Sequence, residues 1–142
     1  MKDNQPLSSL NDIFGPVIVR YTRAQALQEG VLVDAGPLAS EAGFQWPVAL
    51  TRAVWEDCVA WQVADNQRQI GQDPTGRLWD VLVMAVLAIR GSARGGDQLS
   101  FSLYRVPRDG VSTTADKVSL KLIVGPGDQG EPVITILQPH ED

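Results

Sequence analysis

One cysteine and one histidine are all that the 142-residue chain offers of either type, and each scarcity excludes a class of chemistry. A lone Cys58 forms no internal disulfide, so the chain is expected in a reducing compartment. Zinc would need at least two carboxylates beside Cys58 and His140, at no recognisable spacing, so no metal site is expected. His140 stands in Pro139-His140-Glu141-Asp142, where a frayed tail cannot hold a general acid or base in position. Long apolar runs are missing as well: the stretch from Val81 to Ile89 is about half of the roughly 20 residues that cross a bilayer. The opening Met1-Lys2-Asp3-Asn4 is polar with no apolar core or small-residue cleavage site after it, so cytoplasmic residence is expected.

Positive charge is the other shortage. Lys and Arg number 12 against 17 Asp and Glu, a net charge of −5. From Gly95 onward, four basic residues (Arg105, Arg108, Lys117, Lys121) face seven acidic ones. Non-specific nucleic-acid binding draws its affinity from cationic contacts to phosphate, so it is not expected here. An acidic chain suits a basic protein partner better.

What is present reads as one ordinary globular domain. Apolar residues make up 44% and charged residues 20% of the composition, near the averages for folded chains. Residues 1–16, with Pro6, Gly15 and Pro16, read as a flexible leader, and 17–142 as a single α+β domain. Val17 to Tyr21 is a β-branched run and the first expected strand. Thr22 caps a short helix, Arg23 to Glu29, which Gly30 ends. Val31-Leu32-Val33 is a second short strand, and Pro37 opens a helical segment ending at Gly43. Trp46-Pro47 breaks the chain. Thr51 then caps a longer helix in which Val54, Cys58 and Trp61 follow i, i+4, i+7 spacing. After a loop from Gly71 to Gly76, with Thr75 as the expected cap, Arg77 to Arg90 is apolar nearly all round and reads as a central buried helix. Arg90 and Arg94 complement its dipole and Gly91, Gly95 and Gly96 stop it.

Beyond this point the period changes from 3.6 to 2. Leu99, Phe101 and Leu103 alternate with polar neighbours; so do Val118, Leu120 and Leu122; and Val133 to Leu137 forms a third run. The connections are too short for crossover helices, so these three strands predict an antiparallel meander. The fold class is α+β, with helices packed on one face of a mainly antiparallel sheet.

Candidate sites are few. Arg23 and Arg52 each follow a capping Thr in the first turn of a helix, where a cation opposes the dipole at a small cost. Helix N-termini attract anions, so Arg23 and Arg52, with Arg20 nearby, are the candidate phosphate or carboxylate contacts. The plain alternative is that each arginine reaches a local acid such as Glu56 or Asp57. Gly125-Pro126-Gly127-Asp128-Gln129-Gly130-Glu131-Pro132 lacks the Gly-Lys-Ser/Thr ending of a phosphate loop and precedes a strand, so no nucleotide cofactor is implied. It reads as a hairpin loop whose Asp128 and Glu131 are candidate partner contacts. Cys58 lies on an apolar stripe as a small hydrophobe. Trp46, Trp55, Trp61 and Trp79 are explained by core packing, with no interleaved basic residues for base stacking. Glu56 and Asp57 point about 100° apart on a helix, poor geometry for an acid/base pair.

Several blocks together resemble a family of small bacterial proteins of unknown function, met mainly on plasmids and other mobile elements. They are Tyr21 to Ala26 with Gly30 to Asp34, Glu41 to Phe44 with Pro47 to Thr51, and Gly125 to Asp128 with Glu131 to Ile136. The resemblance covers residues 17–142. It implies an accessory protein of a mobile element and assigns no catalytic residue.

Two function classes follow. One is a non-enzymatic interaction protein that engages a macromolecule through its acidic C-terminal half. The other is a small enzyme acting on RNA or a nucleotide, with Arg20, Arg23 and Arg52 on phosphate and Tyr21 or Thr135 nearby; it requires Arg23 and Arg52 to converge in one cleft with a titratable group. A homodimer paired through an exposed strand edge is a third arrangement, since an open sheet leaves edges to protect.

Overall fold

The computed structural model describes residues 21–93 and 95–142, so the leader expected at 1–16, the strand expected from Val17 to Tyr21 except Tyr21 itself, and Arg94 lie outside the described residues. Thr22 and Gln25 form a reciprocal capping box at the start of α1 (Arg23–Glu29), and Gly30, at φ 76°, ends it in the left-handed conformation that glycine adopts without strain. The chain continues through β1 (Leu32–Asp34), α2 (Pro37–Ala42) and β2 (Val48–Thr51). Next come α3 (Arg52–Val54), a π-helical turn (Trp55–Val59), a 3-10 turn (Val63–Gln67) and α4 (Pro74–Gly91). The meander β3 (Gln98–Arg105), β4 (Asp116–Pro126) and β5 (Pro132–Leu137) follows.

The five strands form one sheet in the order β1-β2-β5-β4-β3. Three of its four pairings are antiparallel, and β2 runs parallel to β5. Register aligns a single apolar row across every strand: Leu99, Leu122, Ile136, Leu50 and Val33 are consecutive partners. Because side chains alternate along a strand, this row and Phe101, Leu103, Leu120, Ile134 and Val48 face the same way. Against them pack Ala39 of α2, Val54 of α3, Cys58 and Val59 of the π turn, and Leu78, Val81, Leu82 and Ala85 of α4. This layer is the core; truncating its fully buried Leu50, Leu82 or Leu120 to Ala costs about 2–5 kcal/mol.

Four expectations are corrected. Val48 to Thr51, where the sequence predicts only a helix cap at Thr51, is a strand. It is buried at every position, as parallel strands in a sheet interior are, so it carries no alternation to read. The helix capped by Thr51 is shorter than its spacing predicts: three α residues pass into a π turn closed by Ala60 N–H donating to Trp55 O at 2.8 Å. The wider turn buries Cys58 and Val59 together and leaves Trp61 beyond the helix end. Asp73, not Thr75, caps α4, accepting from Gly76 N–H at 2.7 Å with Pro74 at the first helical position. Lastly, α4 is not buried all round. A helix lying on one sheet hides one face, so Trp79, Met84, Leu87 and Ile89 remain exposed. No helix among the described residues is long and apolar enough to cross a membrane.

Candidate functional site

The two arginines singled out by sequence stand at opposite ends of α1, a helix about 10 Å long. Arg23, in its first turn, sends its guanidinium across to β5, donating to Thr135 Oγ1 at 2.8 Å and to Ile134 O at 2.9 Å. Thr135 points away from the helical core layer, in one row with Ile123, Ala49 and Asp34. Burial lowers the pKa of this half-buried guanidinium, while the charges of Asp34, Asp128 and Glu131 raise it. Arg52 reaches the other end of the helix, where Nε donates to Gly30 O at 2.8 Å and Nη2 to Glu29 O at 2.9 Å. There a cation complements the dipole and satisfies carbonyls that the helix leaves open.

The anion at the start of α1 belongs to the chain itself. Asp128, at the tip of the β4–β5 hairpin, accepts from Arg23 N–H at 2.8 Å and from Ala24 N–H at 2.9 Å. With Thr22 Oγ1 and Thr22 O taking Gln25 N–H and Ala26 N–H, all four initial donors of the helix are satisfied. Glu131 accepts from Gln129 N–H within the same loop at 2.9 Å. Arg23 and Asp128 line one hollow, beside Tyr21 and Gly130, whereas Arg52 lines another with Thr51 and Glu141. Arg20 lies outside the described residues. The C-terminal tail is held rather than frayed: Glu141 accepts from Thr51 Oγ1 at 2.7 Å and from Gln138 N–H at 2.8 Å. His140 stays exposed beside it.

A second polar group, which no spacing announced, lies under the β3–β4 connection. Arg77 of α4 is only 4% exposed. Its guanidinium donates to Val59 O, Val106 O, Asp57 O and Gln72 Oε1, and its charge lies 4.7 Å from the ring centre of Trp61. Burial lowers its pKa. Asp65 is buried and accepts from Gln62 N–H, Arg68 and Arg108. The Gln62 bond, aided by the two arginines, holds its carboxyl below the ordinary range against the opposing effect of burial. Buried Gln69 donates to Pro107 O and Ser112 O and accepts from Gly110 N–H. Arg105 pairs with Asp57 at 2.9 Å, so the acid considered for Arg52 serves a strand 48 residues away instead. This cluster seals a loop against the core: the Arg77 and Gln69 donors meet oxygens and the Asp65 carboxylate meets donors, while Arg105 Nε is buried without a hydrogen-bond partner. Among the described residues, no group of three or more His, Cys, Asp or Glu side chains is gathered as a metal would require.

The surface also carries large apolar side chains. Trp79, Val83 and Leu87 follow i, i+4, i+8 spacing on the outer face of α4, flanked by Asp80 and Met84. A hollow of about 270 Å³ between Trp79, Asp80, Val83 and Met84 of α4 and Leu103 and Tyr104 of β3 opens along the sheet edge. Sequence reasoning passed over this stripe because an all-round apolar helix was assigned wholly to the core; the countersign was that so short a chain has no second layer to cover it.

A family model covers nearly the whole of this architecture. The model described as Family of unknown function (DUF6573) matches residues 10–142. The chain belongs to this family. The DUF6573 match takes in the α1 corner, the Arg77 cluster and the α4 stripe alike, and it brings no activity with it. No curated protein and no solved structure matches the chain.

Proposed function

We propose that this DUF6573 member is a non-enzymatic interaction module, an accessory protein of a bacterial mobile element that works by docking through α4 and the adjoining sheet edge. The observation that carries the reading is the exposure of Trp79, Met84 and Leu87, at 38%, 38% and 51%, along one helix beside an edge strand. Large apolar side chains in contiguous surface patches mark binding sites, and aromatic and Met residues are enriched where partners meet. The arginine arrangement supports it further. Arg23 and Arg52 are engaged by β5 and by α1 itself, and they line separate hollows, whereas the RNA- or nucleotide-acting alternative needs them in one cleft. The acidic C-terminal half remains a candidate for steering a basic partner, although Asp128 is engaged as a cap.

Affinity capture with wild-type protein and with Leu87→Glu, followed by mass spectrometry across salt conditions, tests the reading. The expected result is a partner held by wild type and lost by Leu87→Glu at unchanged circular dichroism. Equal recovery by both proteins, or no enriched partner at any salt, an untagged copy of this chain included, overturns it. Cleavage of RNA by the purified protein would favour the enzymatic alternative instead.

A further inference from the structure

We infer that the partner of the α4 and β3 surface is a second copy of this chain, joined about a two-fold axis through the free edge of β3. The inference rests on the interaction reading above and names its occupant.

β3 is the last strand of the sheet and, among the described residues, pairs with β4 alone. Its eight residues, Gln98–Arg105, contain no proline, lysine or glycine. Natural edge strands are normally blunted by such residues, by bulges or by brevity, because an open row of backbone donors and acceptors recruits another strand. The opposite edge obeys that rule, since β1 has three residues and ends on Asp34. The only charge on β3 is Arg105 at its end, already paired with Asp57. Among the described residues, β3 is therefore a long open edge whose single charge sits at its end.

An antiparallel strand can pair with its own copy, and parity limits the register, with Phe101 or Ser102 the central choices for the axis. Opposed residues share a face only when the two-fold axis passes through a residue. With Ser102 on the axis, Phe101 lies opposite Leu103 of the other copy and Ser100 opposite Tyr104. Every apolar core position then remains on the helix side in both copies. The helix layer must match as well, and it does: α4 packs chiefly on β3 rather than on the sheet centre. The two α4 helices therefore come side by side across the axis, and Met84, Val83 and Trp79 of each copy cover the hollow of the other. One β3 edge and one exposed stripe, each incomplete alone, are closed by one symmetry operation.

Size sets the strength. Eight strand residues and the 18-residue α4 each extend roughly 27 Å, and a helix layer on a sheet is roughly 20 Å high with side chains, giving on the order of 500 Å² per chain. That is below the roughly 800 Å² per partner of a standard stable complex, so the dimer is expected to be weak and concentration-dependent.

Sedimentation velocity on the full chain from about 1 µM to about 1 mM reads this directly. Wild type is expected to shift from the monomer mass towards twice that mass. Met84→Glu, in the hollow beside Leu103 and Tyr104, is expected to remain monomeric throughout with unchanged circular dichroism. Ser102→Cys is expected to form an intermolecular disulfide on oxidation that denaturing gels detect, with Cys58 shielded in the core. Wild type monomeric to 1 mM overturns the inference, as does a Met84→Glu protein that dimerises equally well. The two failures are distinguishable: a monomeric wild type that still captures a Leu87-dependent partner sinks the dimer and leaves the interaction reading standing.

Discussion

Asp128 and Arg23, 105 residues apart, meet at the start of α1, where the Asp128 carboxylate accepts the backbone N–H of Arg23 at 2.8 Å. Its second oxygen takes Ala24 N–H. The hairpin tip thus supplies the negative charge that an arginine-bearing first turn lacks, and the Arg23 side chain is freed to cross to β5. Replacing Asp128 with Ala is expected to cost about 1–2 kcal/mol, the usual loss on removing a helix cap. Asp128→Asn, which keeps an acceptor without the charge, should lose less. Urea denaturation midpoints at pH 7 measure both.

Arg77 is a cation held by carbonyls and the face of Trp61 rather than by a carboxylate hydrogen bond. Arg77→Ala leaves Val59 O and Val106 O buried without their donor, and is expected to lower stability by about 3 kcal/mol. Arg77→Lys should recover only part, since one ammonium cannot reach acceptors spread around a planar guanidinium. Equal stability of the Ala and Lys variants would contradict this account. The readout is the urea midpoint at constant slope.

Acid is expected to loosen the β3–β4 connection first. Asp109 accepts from the hydroxyl and N–H of Ser112 and from Val111 N–H, which hold its carboxyl down to about 2. Asp65 is lowered too, by Gln62 N–H first. Both groups bind protons less well folded than unfolded, so their contribution is complete above the ordinary Asp range near pH 4 and is lost as pH falls, for Asp109 through about 2. Stability measured from pH 5 down to pH 2 should therefore decline, and Asp109→Asn should show a shallower decline.

Cys58 is expected to be inert in the folded protein. Burial first, and the charge of Asp57 second, push its thiol up to about 12. At pH 8 its thiolate fraction is then about a thousandfold below that of a free cysteine. Iodoacetamide labelling should be slow in buffer and fast in denaturing urea; rapid native labelling would contradict the burial.

Elements whose signals are local were legible before folding. Thr22, Gln25 and Gly30 bracket α1 because a capping box and a left-handed stop act within one turn. The meander was legible because a sheet with one covered face imprints a period of two on β3 and β4. β2 was not, since a four-residue strand buried on both faces alternates nothing, and its parallel partner β5 lies more than 80 residues away. The polar cluster was equally hidden: Arg77 sits in an apolar helix, and its acceptors come from backbone at Asp57, Val59 and Val106.

By itself, then, the chain's residue pattern determined an α+β class, the cap and stop of α1 and the alternation of its last strands, because those depend on neighbours a few residues apart. Only the tertiary structure decided what its arginines do and which apolar residues stay outside. Hydrogen-bond partners 18 to 112 residues distant are chosen by where the sheet and helices come to rest. A helix that looks apolar from every side can bury only the side its sheet reaches, which leaves Trp79, Met84 and Leu87 at the surface beside an open strand.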